Sequence, residues 1–195
     1  MSTNSDDNIE IKAVLVGNSG VGKTNLINVC TGKTFNPKSK PTNCCSLLQK
    51  PLEINNLKYS INLWDTMGQE AYKGISKLFF RDAQIVIFVY DITSTESFES
   101  LEEWIQMAND IISEGYISGI VGNKNDLYLQ AKVKEEEAKK YADSKGMKFR
   151  LVSAKEDPQS FEDLLIELVK MYKVPENKMK IFLNREPKPK TKKCC

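Results

Sequence analysis

The stretch Gly17-Asn18-Ser19-Gly20-Val21-Gly22-Lys23-Thr24 decides how the rest of this chain is read. Before it, Ile11, Ala13, Val14, Leu15 and Val16 mark a buried strand within Ile9–Val16. After it, Leu26, Ile27, Val29 and Cys30 mark the buried face of a helix. A strand, a loop fitting G-x-x-x-x-G-K-[ST] and a helix, in that order, form a phosphate-binding loop. Its glycines let the backbone curl around an anion, and the inward amides act with the positive end of the following helix. The candidate phosphate-binding residues are therefore Asn18, Ser19, Gly20, Val21, Gly22, Lys23, Thr24 and Asn25. Lys23 can reach the β- and γ-phosphates, and the Thr24 hydroxyl can ligate an accompanying Mg²⁺.

Length and composition bound what surrounds this loop. A chain of 195 residues with 41% hydrophobic content fits one ordinary domain with a sizeable core. The net charge is only +2, but it is unevenly spread. From Val174 onward seven basic residues face two acidic ones, so a mildly acidic body carries a basic tail. That balance argues against general nucleic-acid binding and for a tail with a partner of its own. Cys30, the adjacent pair Cys44-Cys45 and the terminal pair Cys194-Cys195 include no C-x-x-C spacing. Neither a zinc site nor a disulfide framework is expected. The polar start with Asp6 and Asp7 is no signal peptide, and Ser2 stands where myristoylation needs glycine. The longest apolar run, Ile85 to Tyr90, is too short to span a bilayer and reads as a central strand. A protein made in, and remaining in, the reducing cytosol is expected.

Met1 to Asn8 reads as a disordered lead. Gly32 to Cys45 is a long polar loop inside a compact domain, and such loops tend to be functional. Ser46–Ile54 and Leu57–Asp65 read as an antiparallel hairpin turning at Asn55-Asn56. A loop from Thr66 to Glu70, a short helical segment to about Arg81 and a strand over Gln84–Asp91 follow. Thr93-Ser94-Thr95-Glu96 resembles a capping box opening one helix through Leu101, Trp104, Ile105, Ala108, Ile111 and Ile112. Tyr116–Val121 reads as a strand, Lys132–Ser144 as a helix closed by Gly146, and Met147–Val152 as the last strand. Asp157-Pro158 caps a final helix striped by Phe161, Leu164, Leu165, Leu168, Val169 and Tyr172. Alternating strands and helices imply an α/β, doubly wound sheet with helices on both faces and ligands beyond the carboxyl ends of the strands.

Two further loops fall at such strand ends. Asp65-Thr66-Met67-Gly68-Gln69 offers a carboxylate for Mg²⁺ through water, a Gly68 amide for a γ-phosphate, and Gln69 to orient an attacking water. Asn123-Lys124-Asn125-Asp126 fits Asn-Lys-x-Asp, in which the Asp126 carboxylate can accept from both N1–H and the exocyclic amine of guanine. Adenine lacks that pair of donors and would leave the carboxylate unpaired. Ser153-Ala154-Lys155 follows the last strand and supplies a backbone amide for the guanine oxygen.

With these motifs in this order, the chain over residues 9–172 resembles a small GTPase of the Ras superfamily, and within it the Rab family. Phe88-Val89-Tyr90-Asp91-Ile92-Thr93, Gly122-Asn123-Lys124-Asn125-Asp126-Leu127 and the terminal Cys194-Cys195 strengthen the likeness. The resemblance implies a P-loop NTPase fold over 9–173, mostly parallel with one antiparallel edge strand, and a basic tail over 174–195. It places Thr42 as a further Mg²⁺ ligand and Phe35 as the aromatic stacking on guanine. It also implies departures from the family pattern: Thr42-Asn43-Cys44 for Thr-Ile-Gly, Ser39 for a tyrosine, Met67 for alanine, and a loose version of the second switch at Ala71 to Ser76. The effector-shaping aromatic triad becomes Leu47, Trp64 and Phe79. These changes bear on effector choice and on how the first switch closes over GTP.

The tail, rich in proline and lysine from Pro187 to Lys193, is expected to stay extended. No cysteine lies fourth from the end, so the tail is not a C-a-a-X signal. Cys194-Cys195 instead resembles the Rab signal for double geranylgeranylation. Two lipid chains give stable attachment where one does not, and each nearby lysine adds about 1 kcal/mol at an anionic leaflet. The resulting expectation is a monomeric GTP/GDP switch with Mg²⁺ on the cytosolic face of an internal membrane, acting in vesicle traffic. In it Lys23, Gly68 and Gln69 are the catalytic candidates. The implied partners are an exchange factor, a GTPase-activating protein, an escort protein with prenyltransferase, a GDP-dissociation inhibitor and effectors. Two rivals are a Rab-like module that holds nucleotide without appreciable hydrolysis, and an ATP-using kinase on the same loop. Asn123 to Asp126 argues against the kinase.

Overall fold

The computed structural model describes residues 8–39, 42, 45–66, 78–113 and 115–175. Among these residues six strands form one sheet: β1 (Ile9–Val16), β2 (Ser46–Ile54), β3 (Leu57–Asp65), β4 (Ile85–Asp91), β5 (Ile117–Asn123) and β6 (Lys148–Leu151). Their order across the sheet is β2-β3-β1-β4-β5-β6. β1 pairs in parallel with both β3 and β4, β5 runs parallel to β4 and β6, and only the edge strand β2 is antiparallel. The β2–β3 hairpin turns on Asn55 and Asn56 at φ 53° and 62°, the left-handed pair that matches the twist of adjoining strands.

Alternation along the strands sends side chains to two cores. Ile11, Ala13 and Leu15 of β1 pack with Leu26 and Ile27 of α1 (Lys23–Cys30) and with Phe161, Leu164 and Leu168 of α5 (Pro158–Met171). Val14 and Val16 face the other way, toward Leu101, Trp104 and Ile105 of α3 (Leu101–Ile111) and Ala138 and Ala142 of α4 (Glu135–Ser144). β4, covered on both faces, is buried at every residue, as a central parallel strand should be. An ion pair of 2.8 Å between Lys50 and Glu162 ties the edge strand to α5. Burial pushes the Cys30 thiol up to about 11, so it packs as a small apolar group. Cys45 is exposed.

The expected doubly wound architecture is present, with local corrections. The helix expected from Thr93 onward is two: α2 (Thr95–Glu99) and α3, broken at Ser100. The Ser100 hydroxyl donates to the Glu96 carbonyl at 2.8 Å, a back-bond that bends helices. Thr93 is not the cap, because its N–H and hydroxyl both bond Asp91 Oδ1 at 2.8 and 2.7 Å. The cap is Ser94, whose Oγ accepts from Ser97 N–H at 3.2 Å. The helix expected from Lys132 starts at Glu135, since the Lys132 and Val133 amides are both spent on the Ile92 carbonyl. β4, β5 and β6 begin one residue later than expected; β5 runs on to Asn123 and β6 ends at Leu151. Residues Asn125–Gln130 form a 3₁₀ turn that no hydrophobic period announced. Residues 78–80 are the described end of the helical segment expected before Arg81. Asp157 caps α5 as expected, accepting from Ser160 N–H at 3.2 Å, with Pro158 in the first turn. Among the described residues no helix is long and apolar enough to cross a membrane.

Candidate functional site

The strand order turns at β1, so a crevice opens beyond its carboxyl end, where the 17–24 loop begins. The loop's shape demands glycine at two points. A Cβ on Gly17, at φ 144°, would run into the Val89 carbonyl, and one on Gly22, at φ 99°, would strike Asn123 Nδ2. Lys23 heads α1 with its side chain folded back over the loop, its Nζ donating to the carbonyls of Gly17 at 2.7 Å and Asn18 at 2.9 Å. Burial pulls its pKa down to about 8, opposed by the Asp65 charge. A cation kept this dry is poised for an anion that can replace lost water.

Around the loop lies a cleft of about 620 Å³, lined by Ser19, Gly20, Gly22, Lys23, Thr24 and Asn25 from the loop and α1. Phe35 and Thr42 line it from the long loop, and Asn123, Lys124, Asp126, Ala154 and Lys155 from the ends of β5 and β6. Fragments more than a hundred residues apart in sequence thus share one wall. Phe35 is half-buried and packs against the α1–α5 core. Asn25 holds the Phe35 segment in place: its Nδ2 donates to the Asn36 carbonyl and its Oδ1 accepts from Asn36 N–H, both at 3.0 Å. Val21 does not line the cleft. Its side chain enters the core, and its carbonyl accepts from Asn123 Nδ2 at 2.8 Å.

Three oxygen-bearing side chains meet at the phosphate end. Thr24 Oγ1 donates to Asp65 Oδ2 at 2.7 Å and lies 2.8 Å from Thr42 Oγ1, which is itself 3.5 Å from Asp65 Oδ2. Burial raises the Asp65 carboxyl, while the Thr24 hydroxyl, the Lys23 charge and the Thr42 hydroxyl pull it down. Its Oδ1 is buried and has no hydrogen-bond partner among the described residues. A hard all-oxygen set with an unspent carboxylate oxygen fits Mg²⁺, which prefers oxygen ligands and retains water.

At the far end, Asn123 braces two loops, bonding Val21 as above and accepting from Ala154 N–H at 3.3 Å. Lys124 adopts the left-handed conformation at φ 67°, and its Nζ pairs with Asp91 Oδ2 at 2.6 Å. The Asp126 side chain is only 8% exposed. One of its oxygens accepts from the Ser153 hydroxyl at 2.6 Å, and the other lies 3.8 Å from Lys155 Nζ. Ser153 is buried and orients that carboxylate rather than lining the cleft. Gly68, Gln69, Asn43, Cys44, Met67 and the segment from Ala71 to Ser76 lie outside the described residues, as do the tail from Glu176 and Cys194-Cys195.

A profile of the Ras family matches residues 12–173. The chain belongs to the Ras family. Several of its relatives there are named as Rab proteins. Ras-related protein Rab-30 of Homo sapiens is 37% identical over 157 residues, covering 80% of this chain and 77% of the relative. Ras-related protein Rab-21 of Geodia cydonium is 36% identical over 162 residues, 83% of this chain and 70% of its own. Ras-related protein RabC of Dictyostelium discoideum is 36% identical over 199 residues, 97% of this chain and the whole of that one. Guanine-nucleotide binding goes with this membership.

Sequence reasoning missed the partners that hold the motif residues. Asp91 holds Lys124, while Ser100 and Trp104 hold Asn18. Thr66 locks the end of β3 to β1 through its hydroxyl and the Leu15 carbonyl at 2.6 Å. Only Asp91, at a strand end, carried a signal, and no spacing rule linked it to Lys124. The triad implied by resemblance does assemble: Leu47 pairs with Trp64 across β2 and β3, and the Trp64 and Phe79 rings lie 6.3 Å apart. Leu47 stays 49% exposed, with Lys12 Nζ 4.7 Å over the Trp64 ring.

Proposed function

We propose that this Ras-family chain is a Rab-type switch that binds GTP with Mg²⁺, hydrolyses it slowly to GDP, and acts in membrane traffic through effectors engaged in the GTP state. The observation that carries this reading is the approach of Thr42 to Thr24 and Asp65, because it brings the long loop onto the phosphate end of the cleft. Thr24, Thr42 and, through water, Asp65 would hold the Mg²⁺, which when bound neutralises charge on the phosphates. Lys23 releases the Gly17 and Asn18 carbonyls to take a phosphate oxygen, and amides of residues 18–25 donate to the rest. Asp126 accepts from guanine N1–H and the exocyclic amine, Ala154 N–H donates to its oxygen, and Phe35 covers its face.

Gln69 orients the attacking water, and the Gly68 amide meets the γ-phosphate. Phosphoryl transfer depends on positioning and charge stabilisation more than covalent chemistry. Among the described residues no arginine lines the cleft, so an activating protein supplying one accelerates hydrolysis by about 10³- to 10⁵-fold. Loss of the γ-phosphate frees Thr42 and Gly68, and effectors dissociate. Prenylated Cys194 and Cys195, with the tail lysines, hold the switch on the cytosolic face of an internal membrane. An exchange factor, an escort protein and a dissociation inhibitor complete its cycle. The deciding experiment is single-turnover conversion of bound GTP with and without Gln69→Leu. Slow hydrolysis that the substitution slows further, with binding retained, is the expected result. Hydrolysis that is absent from both proteins means a nucleotide-holding module instead. Tighter binding of ATP than GTP overturns the guanine assignment.

A further inference from the structure

The break between α2 and α3 sets two side chains against the phosphate loop. Asn18 Nδ2 donates to Ser100 Oγ at 3.0 Å, and Trp104 Nε1–H donates to Asn18 Oδ1 at 3.1 Å. Indole nitrogen is a donor only, so Trp104 fixes which way the Asn18 amide faces. Trp104 is 5% exposed and its ring is packed in the α3 core, so its N–H is held by the helix and not by solvent. The next step inward is short. The Asn18 carbonyl is one of the two oxygens that receive Lys23 Nζ, so the residue that α3 grips also shapes the resting place of the phosphate-binding lysine. Ser100 and Trp104 are four residues apart, and the Trp104 backbone N–H donates to the Ser100 carbonyl at 3.3 Å, so the two side chains lie one helical turn apart on the same face and converge on one amide. The Ser100 back-bond to Glu96 and its acceptance from Asn18 use both capacities of a single hydroxyl.

We infer that Ser100 and Trp104 are positioning residues for the phosphate loop: through the two polar ends of the Asn18 side chain they hold the loop in its nucleotide-ready shape and slow release of the diphosphate. The inference rests on the reading of the cleft as a guanine-nucleotide site. It goes further by giving α3, which lines no part of that cleft, a share in nucleotide retention. Neither residue touches the nucleotide. Their effect therefore falls on groups bound by the loop, the β-phosphate above all, and spares the base, which Asp126 and its neighbours hold. A guanine mononucleotide, lacking the β-phosphate, should be indifferent to them.

The test uses the full-length protein. GDP release and the equilibrium affinities for GDP and GMP are measured for wild type, Trp104→Phe and Ser100→Ala, with thermal melting of each. Ala108→Gly serves as a control, since it loosens the same buried helix without touching Asn18. Trp104→Phe should release GDP about tenfold faster, the upper range for one lost hydrogen bond, and keep its GMP affinity. Ser100→Ala should act in the same direction, and covers the case in which Trp104→Phe does not fold. Ala108→Gly should melt earlier yet release GDP at close to the wild-type rate. If both substitutions release GDP at the wild-type rate, or weaken GDP and GMP in equal proportion, the positioning role is wrong. If Ala108→Gly releases GDP as fast as Trp104→Phe, the effect is general loosening and the role is again wrong. Wild type that fails to bind GDP removes the guanine-nucleotide reading and this inference together; insensitive variants of a GDP-binding wild type remove only the latter.

Discussion

Asp126→Ala is the most direct trial of base selection. The carboxylate is 8% exposed, with one oxygen taken by the Ser153 hydroxyl at 2.6 Å and the other 3.8 Å from Lys155 Nζ, too far for a hydrogen bond. It is thus oriented by one neighbour and left with lone pairs free toward the cleft. Guanine offers it two donors. Bonds to a charged partner contribute about 1.5–3 kcal/mol each, so losing both costs about 3–6 kcal/mol, or about 10²- to 10⁴-fold in affinity. Removing the acceptor also leaves the guanine donors unpaired in the bound state, which favours the upper end. ATP gains nothing from the carboxylate, so its binding should hardly change. Competition of unlabelled GTP and ATP against a fluorescent guanine nucleotide measures both numbers at once. Ser153→Ala, which frees the carboxylate to rotate, should cost less, about tenfold. GTP affinity within about threefold of wild type for Asp126→Ala, well under one charged hydrogen bond, refutes the base assignment.

Four further outcomes are expected. Gly22→Ala forces a side chain at φ 99° against Asn123 Nδ2, so it should lower nucleotide affinity and cost more than about 1 kcal/mol in melting experiments. Tyr90 is fully buried and its hydroxyl has no hydrogen-bond partner among the described residues; Tyr90→Phe should leave GTP binding intact and stabilise the protein by about 1 kcal/mol in urea titration. Asp157→Ala removes the α5 cap and should destabilise by about 1 kcal/mol in the same assay. The Lys145 ammonium and the Tyr141 hydroxyl hold the Glu102 carboxyl below the usual carboxylate range. Its contribution is present above the ordinary carboxylate pKa and lost as pH falls through the lowered folded value. Glu102→Gln should therefore cost about 0.5 kcal/mol near neutral pH, as for an exposed pair, and nothing in strong acid.

Sequence patterns carried the architecture because hydrophobic periodicity and turn chemistry are local. Val14 and Val16 alternate with Ala13 and Leu15 in the sequence, and the same alternation divides the two cores. Asn55-Asn56 can be read as a turn because asparagine tolerates the two positive φ values that it adopts. The motif residues were legible for a related reason: each motif needs its residue types within a few positions of one another. What the sequence did not carry was every decision made between distant residues. Lys132 gives its amide to the Ile92 carbonyl instead of starting a helix, and Lys124 pairs with Asp91. No period distinguishes these outcomes, because the competing bonds come from loops brought together only by the sheet.

The same distinction bears on how the site is held. The residues that would meet the nucleotide come from four strand ends and one long loop, yet the groups fixing them lie mostly elsewhere. Asp91 fixes Lys124, Ser153 fixes Asp126, and Ser100 with Trp104 fixes Asn18. Asp91 is itself fixed by α2, since its N–H donates to Ser97 Oγ at 3.0 Å while the Ser97 hydroxyl is bonded to the Ser94 carbonyl at 2.8 Å. The segment from Asp91 to Trp104 therefore grips both ends of the cleft, Lys124 at the base end and Asn18 at the phosphate end. Each grip is nonetheless a separate side-chain bond with its own partner, Asp91 to Lys124 and Trp104 to Asn18, so losing one leaves the other in place. Double substitution of Asp91 and Trp104 should then weaken GDP by close to the product of the single effects, as substitutions without a shared partner do. A combined loss far from that product would show that the segment holds the two ends of the cleft as one unit.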